Sequence, residues 1–480
     1  MNETPAALLP EAVLLAGAVL VLLTGSFVPR RSQWITRAMT AATLLLSLVL
    51  TVVAAPRDDV VVYDGLWAVD GVMTVARLVV LSATLLVLCL GVPQLRDDKR
   101  ETEFMVLLLL GALGSLAMAG ASDLMLLAVA YLLASIPLYA LAGFGRDRRG
   151  TEAALKLYLL GAFLGIALLL GVTMLYGVGG ATTYGVLEQG LRTAPRAPVA
   201  LGVVCLLAGL AFKVGAVPGH FWVPDVAEGT RTPAAAFATT VPKVGGLLAA
   251  YRLLDAVPTS VVDWPLLVAV LAALTMTLGN LAAFAQDSPR RLLGWSTVSQ
   301  AGYLLMAVAV AGRAEQALPA LLLYLGAYAV TNLGAFAVVA CVEDRETLES
   351  YRGLARSRPV VAVSLAVCLL GLVGTPPTSV FVGKVVVFAA AADGGFTWLL
   401  VVGAVNTVAS LFYYLRWLAP VFAAGTSAAG TSAAGTSPDV AGRVVRGWPE
   451  LAAVSAAVTS VALGLLAGPA LDLATTPLLR

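Results

Sequence analysis

Apolar residues occur along this chain in long blocks separated by short segments rich in charge, proline or glycine. Each block has about 18 to 25 residues, enough to cross a bilayer as an α-helix. The pattern predicts about 14 spans, over residues 6–28, 36–55, 68–92, 104–120, 123–143, 153–176, 199–220, 233–254, 264–285, 292–311, 317–341, 360–391, 396–419 and 449–470. The blocks do not alternate polar and apolar positions as membrane β-barrels do. The predicted fold is an all-α polytopic membrane protein.

Two of these spans are expected to be broken. Span 12, residues 360–391, is too long for one straight helix and holds Gly-Thr-Pro-Pro at 374–377. Span 7, residues 199–220, has Gly215 and Pro218 near its end. Proline removes a helical hydrogen bond and clashes with the preceding turn, so both spans should be interrupted. Half-helix ends at membrane depth expose dipoles that bind ions and water, which is typical of transporters and channels.

Composition narrows the function classes. The chain is 60% hydrophobic and only 12% charged, whereas soluble domains have about 25% charged residues. A net charge of +2 without a basic patch interleaved with aromatics gives no sign of nucleic-acid binding. The four cysteines stand singly in apolar blocks, so we expect no metal, haem or iron–sulfur site. The N-terminus lacks a basic n-region, and the first block is expected to be a retained span.

Loop charges predict the orientation. With the N-terminus outside, the cytoplasmic loops hold 18 lysines and arginines and the outer segments hold five. This asymmetry follows the positive-inside rule and places both termini outside. Residues 423–437 repeat Ala-Ala-Gly-Thr-Ser three times, which predicts a flexible cytoplasmic linker that tolerates deletion.

Lysine is rare and selectively placed. Arginine supplies 25 of the 30 basic residues, and four of the five lysines, Lys156, Lys213, Lys243 and Lys384, lie inside apolar blocks. Arginine stays protonated in proteins, whereas burial drives an amine toward its neutral form. Because an ionisable group at membrane depth is costly, these lysines predict proton handling. For Lys156 a simple ion pair with Glu152, four residues earlier, is the competing interpretation.

Other polar residues near the breaks are weaker candidates. His220, the single histidine, follows Pro218 and is either a proton relay or a structural residue. Gln300 and Tyr303 either hold water or merely pack. Asp225 and Glu228 are expected to be solvated loop charges.

Six stretches resemble one family, the antiporter-like membrane subunits of respiratory complex I. They are Phe212-Lys213 with Pro218 to Asp225; Thr232-Pro233-Ala234; Val241-Pro242-Lys243; Arg290 to Ser296 with Ser299, Gly302 and Tyr303; Thr331 to Phe336; and Gly374 to Lys384. The ordered set covers nearly the whole chain and is most similar to the N type of subunit, because Lys384 stands where the M type carries glutamate. We also expect no long lateral helix of the kind that the L type carries.

This resemblance implies a different role in proton transfer for each of the lysines. Lys213 would be the central protonation site, and Lys243 would connect it to Lys384 near the outer exit. His220 would lie between or beside Lys243 and Lys384, and Lys156 would serve the uptake side. The resemblance also implies two inverted five-helix repeats, over residues 104–255 and 264–419. An N-terminal three-helix segment (1–103), the linker (420–447) and a C-terminal helix (448–480) would complete the chain.

Two positions depart from the family pattern. The glutamate expected in span 5, five residues before the proline of Ser135-Ile136-Pro137, is replaced by Leu132. Without that carboxylate, Lys213 should lose its proton more easily. Gln300 stands where histidine is common and cannot titrate. Both replacements predict an altered or weakened proton channel.

The resemblance implies a proton-translocating subunit of a bacterial inner-membrane NADH–quinone oxidoreductase. The chain itself would not be catalytic and would bind no cofactor, while partner subunits would hold NADH, FMN, iron–sulfur clusters and quinone. Its neighbours would be another antiporter-like subunit and small K- and J-type subunits. The alternatives are an Mrp-type cation/proton antiporter subunit and a structural spacer that has lost pumping.

Overall fold

The computed structural model describes residues 5–53, 59–96, 98–424, 447–475 and 478–479. Its N-terminal part holds three long helices, α1 (Leu9–Phe27), α2 (Trp34–Val53) and α3 (Gly71–Leu95). A short antiparallel hairpin, β1 (Val60–Val62) with β2 (Trp67–Val69), precedes α3 and pairs Val61 with Ala68. The sequence did not predict this hairpin, because three-residue strands leave no periodic signal among apolar blocks.

The next part of the chain holds seven helices. They are α4 (Glu101–Gly120), α5 (Leu124–Ala142), α6 (Arg148–Gly179), α7 (Tyr184–Thr193), α8 (Arg196–Val214), α9 (Trp222–Gly229) and α10 (Thr232–Asp255). The helical part of span 7 is α8, which ends at Val214, and α9 begins at Trp222, just beyond the predicted end of the span. The short α7 was not predicted, because its mixed composition does not stand out from a loop.

The remaining part holds nine helices. They are α11 (Trp264–Phe284), α12 (Pro289–Ala309), α13 (Ala317–Cys341), α14 (Leu354–Ser357), α15 (Pro359–Val373), α16 (Ser379–Asp393), α17 (Thr397–Phe422), α18 (Trp448–Leu465) and α19 (Ala467–Ala474). Three short 3-10 helices also occur, at Pro5–Leu8, Arg30–Ser32 and Glu349–Tyr351. Most of the predicted linker, residues 425–446, lies outside the described residues.

Twelve of the described helices are long and apolar enough to cross a membrane. The 24-residue α10 and the successive short helices α15 and α16 supply the two other predicted spans. The predicted helical membrane fold is therefore confirmed. The inverted repeats and the domain boundaries stay predictions.

Both predicted breaks occur, and both have a glycine followed three residues later by a proline. α8 ends at Gly215, with φ +74°, and α15 ends at Gly374, with φ +90°. Glycine adopts this left-handed conformation without a Cβ clash and so ends a helix readily. Pro218 and Pro377 follow three residues after these glycines and prevent the helix from resuming at once.

Three helices form the centre of the molecule. α10, α12 and α13 are buried along nearly their whole length. Peripheral helices instead expose large apolar side chains, for example Leu20, Phe163 and Val405. An apolar outer surface suits lipid, so the buried centre is where polar groups can be accommodated.

Candidate functional site

Lys213 lies at the end of α8 and is 1% exposed. Its amine donates a hydrogen bond to the Ser135 hydroxyl of α5 and lies 4.7 Å from the centroid of the Tyr131 ring. An aromatic face stabilises a cation through its quadrupole, more strongly where water is excluded. A hydroxyl and a ring therefore surround the amine.

The position of the glutamate that is missing from span 5 does not face Lys213 in this structure. Tyr131 and Ser135 are one helical turn apart, so both face Lys213, whereas Leu132 is 45% exposed on another face of α5. The salt bridges of the described residues include one lysine, Lys156, and none of the buried ones. Lys213 thus has neutral neighbours on α5.

Lys243 follows Pro242 inside α10 and is 1% exposed. Its amine donates to the carbonyl of Val214 and, at 3.2 Å, to the carbonyl of Thr297 on α12. Val214 is the last residue of α8 and directly follows Lys213. The final carbonyls of a helix lack helical partners and carry partial negative charge, so the amine is bound where α8 presents that charge.

Lys384 repeats this arrangement at the second break. It lies in α16, is 3% exposed, and donates at 2.9 Å to the carbonyl of Val373, the last residue of α15. Its amine also lies 4.1 Å from the centroid of the Tyr303 ring and 3.4 Å from the Thr407 hydroxyl. At both breaks, the carbonyl immediately before the left-handed glycine accepts a hydrogen bond from a buried lysine.

Gln300 and Tyr303, both on α12, lie between these two positions. The Gln300 amide donates at 2.8 Å to the carbonyl of Leu372, next to the Val373 carbonyl that binds Lys384. Gln300 is one helical turn beyond Thr297, whose carbonyl binds Lys243. The α12 face from Thr297 to Tyr303 therefore connects the surroundings of the two lysines.

His220 lies in the segment between α8 and α9 and is 1% exposed. Its ring centroid is 5.7 Å from that of Trp295 and 4.3 Å from that of Phe221, so the ring lies among aromatic side chains. In the part of the chain that the structure describes, His220 makes no hydrogen bond to a lysine. Its role as a relay stays a prediction.

Lys156 differs from the other three lysines, and the expectation that it is buried was wrong. Its side chain is 46% exposed and pairs with Glu152 at 2.8 Å and Asp225 at 2.9 Å. Arg291 binds the other Asp225 oxygen at 2.8 Å and Glu228 at 3.0 Å. These residues line a cavity of about 190 Å³. Lys156 therefore forms the ion pair with Glu152 that the competing interpretation expected. The sequence could not predict its exposure, because a single lysine in an apolar block does not reveal which way its helix faces.

Asp225 and Glu228 were also placed wrongly, because they lie in the short helix α9 rather than in a loop. The partners of the buried lysines, Ser135, Thr297 and Thr407, were not identified from sequence as lysine ligands. Ser135 and Thr407 bind through hydroxyls, which are frequent in apolar helices, and Thr297 binds through its main-chain carbonyl, so no local signal distinguishes these three. No cluster of histidine, cysteine and acidic side chains suited to a metal occurs within the described residues.

Comparisons with known proteins agree with this geometry. A family described as NADH:quinone oxidoreductase/Mrp antiporter, transmembrane, matches residues 121–410. The chain is 56% identical to NADH-quinone oxidoreductase subunit N 1 of Streptomyces griseus, over 88% of this chain and 89% of that protein. It is 49% identical to subunit N of Mycobacterium sp. strain JLS, over 98% of both proteins.

A solved structure agrees as well. A chain of respiratory complex I from Thermus thermophilus, determined with bound aureothin, superposes with a TM-score of 0.81 at 33% identity, covering 98% of this chain and 100% of that one. The family match at residues 121–410 includes both broken helices and the three buried lysines. The chain belongs to the subunit N family of NADH–quinone oxidoreductase.

Proposed function

We propose that this chain translocates protons in the membrane arm of an NADH–quinone oxidoreductase, through the row formed by Lys213, Lys243 and Lys384. The observation that carries the proposal is the pair of lysine–carbonyl contacts at the two helix breaks. Among the described residues, no carboxylate forms an ion pair with these three amines.

The chemistry of the row follows from its neighbours. Helix-end carbonyls and hydroxyls stabilise an ammonium ion without neutralising it as a carboxylate would. Each amine can therefore hold a proton or release it to a neighbouring acceptor. The charge on one lysine disfavours charge on the next, so a proton arriving at one end promotes release at the other.

The direction of transport depends on which lysine serves proton uptake and which serves proton release. Lys213 is the central protonation site, Lys243 connects the two halves, and Lys384 serves the outer exit. Lys156, held by Glu152 and Asp225 at the surface, belongs to the uptake side. The arginine-rich loops support a cytoplasmic uptake side and both termini outside. The location is a bacterial inner membrane.

The chain contributes proton transfer and no redox chemistry to the enzyme. NADH, FMN, the iron–sulfur clusters and quinone belong to partner subunits. The membrane neighbours are a second antiporter-like subunit and small K- and J-type subunits. Redox chemistry in the partner subunits would change the protonation of the three lysines in the row.

A tagged chain purified gently from its native membrane tests this assignment. We expect iron–sulfur and flavin subunits to copurify, with NADH–quinone reductase activity. Recovery with other membrane subunits alone, and sodium-dependent exchange without NADH, would support the Mrp-type alternative instead. A redox complex that forms normally but pumps equally well with Lys213→Ala would support the structural-spacer alternative.

A further inference from the structure

Each helix break leaves backbone groups without helical hydrogen bonds at membrane depth. Lipid offers these groups no partner, so the protein must supply one. The first break, residues 215–221, receives a partner from α11. The Val217 N–H donates at 3.1 Å to the hydroxyl of Thr275, which is fully buried and itself donates to the Leu271 carbonyl at 2.5 Å. Because a hydroxyl has one proton, Thr275 meets the break as an acceptor.

The second break, residues 374–378, is contacted by a hydroxyl of α18. The Ser460 hydroxyl lies 3.4 Å from the Ser379 hydroxyl, at the start of α16, and 2.9 Å from the Thr331 hydroxyl of α13. Thr331 already donates to the Ala327 carbonyl at 2.7 Å, so it accepts from Ser460. All three hydroxyls are fully buried. Ser460 is therefore the link that joins the second break to α13.

α18 also lies very close to the backbone of the second break. Gly464 comes one turn after Ser460 on this helix. A Cβ at that glycine would lie 2.6 Å from the carbonyl carbon of Thr378 and 2.8 Å from the nitrogen of Ser379. Before the break, a Cβ at Gly371 of α15 would lie 3.7 Å from the Ser460 hydroxyl oxygen. α18 therefore contacts both half-helices, α15 and α16, and can fix their relative position.

The two hydroxyls occupy corresponding places in the chain. Thr275 lies in span 9 and Ser460 in span 14, so each belongs to the second span after the broken one. Thr275 binds three residues after the carbonyl that accepts from Lys243. Ser460 binds six residues after the carbonyl that accepts from Lys384. Movement of either break would therefore change the distance between a carbonyl and its amine.

We propose that Thr275 and Ser460 are positioning residues for proton translocation. Thr275 holds the first break, so that its carbonyl stays within reach of Lys243. Ser460 holds the second break and does the same for Lys384. Neither hydroxyl exchanges a proton with a lysine, and each acts through the backbone that the lysine contacts. This role rests on the proposed function, because the contacts that it preserves affect pumping only if these lysines transfer protons.

The test uses the whole complex in proteoliposomes and counts protons translocated per NADH oxidised. Thr275→Val keeps the shape of the side chain and removes the acceptor, and Ser460→Ala removes the link at the second break. We expect each variant to show at least half of the loss in Lys384→Ala. The matched control is Ser455→Ala, which should pump normally, because the Ser455 hydroxyl bonds to the Ala452 carbonyl of its own helix at 3.1 Å.

Conservative replacement separates positioning from packing. Thr275→Ser keeps the acceptor and loses the methyl group, so it should restore most of the proton count lost in Thr275→Val. Equal counts in these two variants would overturn the role of Thr275. Full pumping by Thr275→Val or Ser460→Ala beside a defective Lys384→Ala would overturn the role of that residue and leave the proposed function intact. Full pumping by Lys384→Ala would overturn the proposed function, and the positioning role with it.

A density map distinguishes positioning from a general loss of stability. In Ser460→Ala the Lys384 amine should move from 2.9 Å to beyond roughly 3.5 Å from the Val373 carbonyl, too far for a hydrogen bond. An unchanged distance would overturn the role of Ser460. If a variant fails to assemble, a map of the unmodified complex that shows individual waters should place each hydroxyl in direct contact with its break. A water between a hydroxyl and its break would overturn the role of that residue.

Discussion

Replacing Ser135 by aspartate should trap the proton on Lys213. The Ser135 hydroxyl already accepts a hydrogen bond from the Lys213 amine, so a carboxylate at this position would lie within roughly 4 Å of it. At that distance and an effective dielectric constant of about 20, the attraction is about 4 kcal/mol. At about 1.4 kcal/mol for each factor of ten, release of the proton becomes roughly a thousandfold less favourable.

The assay is proton translocation per NADH by the complex in proteoliposomes, with NADH oxidation measured under uncoupled conditions. Ser135→Asn is the matched control, because it has the same size as aspartate without the charge. Leu132→Glu adds the same charge on the exposed face of α5, away from Lys213. We expect Ser135→Asp to lose most pumping, with both other variants close to the native level. Equal pumping by Ser135→Asp and Ser135→Asn would refute the reasoning.

Two further predictions concern stability, read as the melting temperature of the purified complex. Glu11→Ala leaves Arg77 buried without the carboxylate that binds it at 2.7 Å, so we expect a loss of about 3–5 kcal/mol, largely recovered in the doubly apolar Glu11→Leu/Arg77→Met variant. No recovery would mean that the pair does more than satisfy its own charges. Gly245→Ala would place a Cβ only 2.3 Å from the Ser115 carbonyl oxygen, which must force α4 and α10 apart and lower the melting temperature. Gly185→Ala, which meets no atom within 4 Å, is its control, and equal melting temperatures would contradict the packing argument.

The sequence predicted the parts of the site that depend on backbone chemistry. Gly215 and Gly374, each followed by proline, end their helices wherever the surrounding helices lie, so the breaks could be located from local residues. Lys213, Lys243 and Lys384 were correctly expected to be buried, because each stands too deep in its block for the amine to reach an interface.

The other features of the site depend on how the helices face one another in the folded chain, and the sequence did not predict them. Lys156 is exposed because α6 turns that side of itself outward, which an apolar block does not encode. The contacts of Ser135, Thr297 and Asn332 join helices distant in sequence. Central helices such as α10 and α12 are buried on every side, so their hydrophobic pattern does not indicate a face.

The most direct test of the account is the number of protons translocated per NADH when Lys384 is replaced by alanine in the intact complex. Lys384 is the amine at the second helix break, and Val385→Ala, an exposed neighbour on α16, serves as the control. The account predicts a clear loss of translocated protons in Lys384→Ala and none in Val385→Ala, with uncoupled NADH oxidation continuing in both. An unchanged proton count in Lys384→Ala would contradict proton transport through the lysine row.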